Sequence, residues 1–148
     1  MSKPLSVNTD YGTIYIRNGG RSIEYVLHDS VKKGYHSQAL ARYVELLYES
    51  GVDSINADHL SYPWLDRRLD VRRGNRKLDI VYLRDGILYE CELKTHREIG
   101  IDRTYEQIKD QLKHCSNYIL LVPTEDLHFV RESLKIRGLS DVTVEPYD

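Results

Sequence analysis

Asp79, Glu92 and Lys94 are the residues whose types and spacing could do chemistry. They sit on two runs, 78–84 and 87–95, that alternate in the manner of strands and are joined by Asp85-Gly86, a strong signal for a two-residue hairpin turn. If those two residues are the whole turn, Arg84 pairs with Ile87, and counting outward sets Asp79 opposite Glu92. Directly opposed residues share a sheet face with Cβ atoms about 4.5–5.5 Å apart. Alternation adds Glu90 and Lys94 to that face, while Leu78, Ile80, Tyr82, Tyr89, Cys91 and Leu93 form an apolar pattern on the other. Three acids against one lysine repel, and a divalent cation held by oxygens would relieve them. A carboxylate-bound cation of this kind polarises a phosphate and activates water, so the residues suit phosphodiester hydrolysis.

A Glu-x-Lys triplet alone carries little, because a chain of this length holds about one Asp/Glu-x-Lys by chance. The signal lies in the conjunction with an opposed Asp and with the flanking elements. Residues 35–50 read as a helix, with Leu40, Tyr43, Val44 and Leu47 at helical spacing and Gly51 as its stop. This helix could bring Glu45 or Gln38 over the acids. After the hairpin, 101–115 reads as a second helix on Ile101, Tyr105, Ile108, Leu112 and Cys115. The run 117–122, ended by Pro123, reads as a buried strand. Thr124 caps an expected third helix carrying Leu127, Val130 and Leu134, and 142–145 closes the chain as a strand. Upstream, 13–16 and 22–27 flank Asn18-Gly19-Gly20 and read as an N-terminal β-ribbon, open to a role in dimerisation or in substrate clamping. With residues 52–57 read as a short strand, the element order after the ribbon is α, β, β, β, α, β, α, β: an α/β fold with a mixed central sheet.

Asp79 followed thirteen residues later by Glu92-Leu93-Lys94 resembles the paired motif of the PD-(D/E)XK nuclease superfamily. The resemblance spans 34–122 and implies a restriction-endonuclease-like αβββαβ core, with the 1–30 ribbon before it and a 123–148 helix-strand extension after it, all in one domain. A more distant similarity is to the Holliday junction resolvases of that superfamily. The resemblance implies that Asp79 and Glu92 hold Mg2+, for which Mn2+ would substitute, together with the backbone carbonyl of Leu93. Glu90 is a candidate third ligand. Lys94 would orient or help deprotonate the attacking water, Glu45 would be the acid of the first helix, and Gln107 the glutamine of the helix after the motif. Leu78 stands where the name-giving proline would be. Gln111 stands where some branches carry a tyrosine four residues after the glutamine. A plainer account of Gln107 is a capping box over Thr104–Gln107.

Composition bounds the partners. The 148 residues fit one ordinary domain, and 21 basic against 23 acidic residues give a net charge of −2, which argues against a protein that coats DNA by bulk charge. Six cations, Arg67, Arg68, Arg72, Arg73, Arg76 and Lys77, nevertheless fall within eleven residues with only Asp70 opposing, and could grip a DNA backbone. Cys91 and Cys115 are too few for a four-thiolate zinc site and read as free thiols in apolar patterns. His36, His96 and His114 show no ligand spacing. Tyr62 and Trp64 fit core or dimer packing better than base stacking. The start reads as no signal peptide and no run approaches the ~20 apolar residues that span a bilayer, so the expectation is a soluble, intracellular (cytoplasmic) DNA nuclease, with a homodimer as the way to cut both strands. An inactive nucleic-acid-binding or protein-interaction module of the same fold is the alternative.

Overall fold

The computed structural model describes residues 5–8, 12–27 and 29–148. The chain divides into two compact units, Met1–His36 and Ser37–Asp148. The first holds an antiparallel three-stranded sheet in the order β1 (Leu5–Asn8), β2 (Gly12–Arg17), β3 (Ser22–Leu27). A single 3-10 turn, Asn18–Gly20, joins β2 to β3 where the turn signal stands. The ribbon thus has one strand more than the sequence suggests. β1 is only four residues long, too short for alternation to declare itself.

Helix α1 (Asp29–Glu49) begins six residues before its expected start, carrying Gly34 inside it. One interior glycine costs about 1 kcal/mol relative to alanine, which packing of the buried Leu40, Val44 and Leu47 outweighs at roughly 1.5–3 kcal/mol each.

The second unit is built on a mixed five-stranded sheet in the order β10-β9-β8-β7-β4. Its strands are β4 (Ser54–Ala57), β7 (Ile80–Arg84), β8 (Ile87–Leu93), β9 (Tyr118–Val122) and β10 (Thr143–Pro146). β7 pairs antiparallel with both β4 and β8, whereas β8, β9 and β10 run parallel. Parallel neighbours need crossovers, and α2 (Asp102–Leu112) and α3 (Leu127–Ile136) supply them. Between β4 and β7 the chain forms a miniature hairpin of β5 (Arg72–Arg73) and β6 (Arg76–Lys77).

Alternation along the central strands feeds two cores. Ile80, Tyr82, Cys91, Leu93, Ile119 and Leu121 pack with α1 on one face. Val81, Leu120 and Val122 pack with Tyr105 and Ile108 of α2 and with Val130 and Leu134 of α3 on the other. Leu78 joins the second core rather than the first, because it precedes β7 and is not bound by that strand's alternation. Tyr62 and Trp64 pack against the α1-side core, and Trp64 stacks on Tyr48 and Tyr62 with ring centroids 4.3 and 5.1 Å apart. Cys91 is buried, Cys115 half-buried, and both are free thiols. Among the described residues, no helix is long and apolar enough to cross a membrane.

Candidate active site

The β7–β8 hairpin sets the register on which the site depends. Asp85 and Gly86 both take positive φ, 53° and 78°, so these two residues make the turn and Arg84 pairs with Ile87. The ladder runs to Ile80 opposite Cys91. One step further brings Asp79 level with Glu92, where the backbone N–H of Leu93 donates to Asp79 Oδ2 at 2.8 Å. Asp79, Glu92 and Lys94 are each less than a tenth exposed, at 7, 7 and 8%.

Burial above all, then the negative charge of Asp79 and a hydrogen bond to it, pushes the Glu92 carboxyl well above the usual carboxylate range. Lys94 and Gln111 pull the other way without reversing the shift. Two carboxyl groups in this contact cannot both stay ionised unless positive charge joins them. Both contribute only oxygen, the donor of hard cations such as Mg2+ and Mn2+, so the pair fits such an ion.

Helix α2 brings two glutamines one turn apart to the site, Gln107 to Lys94 and Gln111 to Glu92. Gln107 Oε1 accepts a hydrogen bond from Lys94 Nζ at 3.2 Å, and Glu98 Oε2 lies 3.6 Å from the same amine. Gln111 Nε2 donates to Glu92 Oε2 at 2.5 Å while its Oε1 accepts from the Tyr118 hydroxyl at 2.7 Å. Burial, followed by the nearby Glu92, raises the Tyr118 phenol far above its usual range, so it remains a donor. The capping-box account of Gln107 does not hold. Ile101 is the N-cap, and Thr104 Oγ1 bonds instead to the carbonyl of Glu98 at 2.6 Å.

Other expected site residues lie elsewhere. Glu90 shares the face of Glu92, yet Oε2 receives Arg73 Nε at 2.5 Å and Oε1 receives the backbone N–H groups of Ser116 and Asn117 at 2.9 and 3.2 Å. Burial would raise its carboxyl, but these donors hold it below the usual range. With its oxygens spent on protein donors, Glu90 reads as a structural anchor rather than a metal ligand. Glu45 does not reach the acids. The buried side of α1 packs on the face of Ile80 and Cys91, the opposite face from Glu92, and Glu45 points outward to accept from the Tyr62 hydroxyl at 2.7 Å. Gln38, on the same helix, is exposed.

The basic run separates into two sets. Arg67 donates to Asn56 Oδ1 and to the carbonyls of Ala57 and Leu60, Arg68 pairs with Asp66, and Arg73 with Glu90. Arg72, Arg76 and Lys77 are exposed on the β5–β6 hairpin, and among the described residues no ion pair reaches their side chains.

No known protein family, curated protein or solved structure matches the chain. The site must therefore be judged on its own geometry.

Gln111, Tyr118 and Glu98 are the site contacts that sequence reasoning missed. Gln111 carried a signal, its place one helical turn after Gln107 on the stripe that faces Lys94 and Glu92. Tyr118 carried none, being indistinguishable from the apolar run that follows it. His96 Nδ1 lies 2.9 Å from both oxygens of the buried Asp126, and Glu125 is close by. This contact joins the segment after β8 to the segment after β9, and is one that spacing along the chain did not announce.

Proposed function

We propose that the chain is a metal-dependent nuclease that hydrolyses phosphodiester bonds in DNA, with a restriction-endonuclease-like core formed by α1, β4, β7, β8, α2 and β9. The observation that carries this reading is the buried meeting of Asp79 and Glu92 beside Lys94 on one sheet face. Mg2+ held by these two carboxylates, with the Leu93 carbonyl as a further donor, would polarise the phosphate and lower the pKa of a bound water.

The chain's own residues supply the rest. The Leu93 N–H fixes Asp79, and Gln111, itself oriented by Tyr118, fixes Glu92, so both acids are pre-set rather than searching rotamers. Gln107 and Glu98 hold the Lys94 amine beside the acids, where it can orient the attacking water and offset charge developing on the phosphate. Preferential action on branched DNA, and pairing into a two-fold dimer that cuts both strands, are extensions of this reading.

The test is to incubate the protein with labelled single-stranded, duplex and four-way-junction DNA, in Mg2+ or in chelator, beside Lys94→Ala. Cleavage in Mg2+ alone is expected, falling about 10²–10³-fold in kcat for the variant, the scale of removing one preorganised electrostatic group. Binding without cleavage in Mg2+, Mn2+ and Ca2+ alike would instead establish an inactive binding module.

A further inference from the structure

The β5–β6 hairpin is closed at its base and held against the body of the protein at two points. Leu78 N–H bonds the carbonyl of Val71 at 2.8 Å and closes its base. Arg73 reaches inward to Glu90, with side chains 14 and 5% exposed. At the turn, Gly74 has φ +61°, and a Cβ there would come 3.0 Å from Nε2 of His114, just beyond α2. So short a ladder would not hold a shape by itself, and these contacts give it one.

What the hairpin displays is electrostatically costly. Arg72 lies directly opposite Lys77, and Arg73 opposite Arg76. Like charges in opposed positions destabilise a strand pair. Glu90 offsets Arg73, and Asp70 Oδ1 accepts the Arg72 backbone N–H at 2.8 Å, but among the described residues no ion pair reaches the side chains of Arg72, Lys77 or Arg76. The Arg72–Lys77 pair, exposed and set side by side on one face of the ladder, suits an anion placed between its two cations.

Its position says which anion. Glu90 and Glu92 are two residues apart on β8, about 7 Å at ~3.4 Å per residue. A nucleic-acid strand advances about 3.4 Å per nucleotide along the duplex axis, so phosphates one to three nucleotides from a reacting one fall within reach of the hairpin.

We infer that the β5–β6 hairpin is a clamp for the phosphodiester backbone, in which Arg72 and Lys77, paired on one face of the ladder, hold phosphates flanking the one presented to Asp79 and Glu92, Arg76 adds positive charge from the other face, and the Arg73–Glu90 pair positions the hairpin. This rests on the nuclease reading for its register but not for its binding chemistry.

The experiment measures affinity for a fluorescent duplex oligonucleotide in chelator across a salt series, so that cleavage does not enter. Removing two phosphate contacts in Arg72→Ala/Lys77→Ala should make the slope of log K against log salt shallower by about 1.8. Where the protein cuts, KM should rise about tenfold with kcat within about twofold. Glu90→Gln discriminates further. A purely electrostatic role predicts tighter binding, because one negative charge is gone, whereas positioning predicts a shallower slope and weaker binding by a protein that melts cooperatively. An unchanged slope in the double variant overturns the clamp even if the protein cuts DNA. Equal competition by inorganic phosphate or poly-glutamate at matched charge overturns it as well. A shallower slope in a protein that never cuts upholds the clamp and removes the nuclease reading.

Discussion

Asp79 and Glu92 illustrate how a single contact can be unfavourable to the fold and useful to the site. Burial and the Asp79 charge both disfavour ionised Glu92, so the metal-free protein carries an electrostatic penalty at neutral pH. Asp79→Asn removes that charge while keeping the shape. In chelator the variant should melt at or above the wild-type temperature, and Mg2+, which should raise the wild-type midpoint by mass action, should leave the variant unmoved. Calorimetry with and without Mg2+ reads both effects, and equal Mg2+ stabilisation of the two proteins would remove Asp79 from the ligand set. Gln111 behaves in the opposite sense. Its amide bridges Glu92 and the Tyr118 hydroxyl, both buried. Gln111→Ala leaves two buried polar groups without that partner, and urea unfolding should show a loss of about 1–3 kcal/mol. Activity should fall further than stability explains, since Glu92 would no longer be held in one rotamer.

At the scale of elements, the site is a consequence of one turn. With Asp85 and Gly86 both at positive φ, the register that joins Asp79 to Glu92 follows, and a slip of one residue would turn every side chain of β8 to the other face. Gly86→Ala forces a Cβ into the left-handed region at a cost of about 1–2 kcal/mol, checked by chemical denaturation. Because nothing lies within 4 Å of that Cβ, the loss should be backbone strain alone. This turn was legible in the sequence because Asp-Gly between alternating strands encodes it locally. So were the α/β order and the mixed sheet, since the apolar runs at 80–84, 87–93 and 118–122 have strand length and α2 has a clean helical stripe. What the sequence could not show is which face each helix covers. The α1 pattern announces a buried stripe but not the face that receives it, and the reach assigned to Glu45 failed for that reason. Likewise, six clustered cations look alike along the chain, and only the fold separates the inward Arg67 and Arg73 from the outward Arg72, Arg76 and Lys77.

For the molecule as a whole, a pH dependence comes from a contact remote in sequence. His96, after β8, meets Asp126, before α3, across 30 positions of chain, and Asp126 is buried while the imidazole is largely exposed. The hydrogen bond to Asp126 and then its charge raise the His96 pKa above its usual value, with Glu125 adding to the shift and Arg97 opposing it. A histidine whose folded pKa exceeds its unfolded one stabilises the fold most below the unfolded value, about 6.5, and loses that contribution as pH climbs through the folded value. Deprotonation also leaves Asp126 without a cation at a place where it is screened from water. Stability should therefore decline from pH 6 to pH 8.5 in the wild-type protein. The informative quantity is the difference between wild type and His96→Gln in urea midpoints across that interval. That difference should favour the wild type at pH 6 and shrink toward zero by pH 8.5. A difference constant with pH would mean that the His96–Asp126 contact holds these segments through geometry and a neutral hydrogen bond, with no contribution from charge.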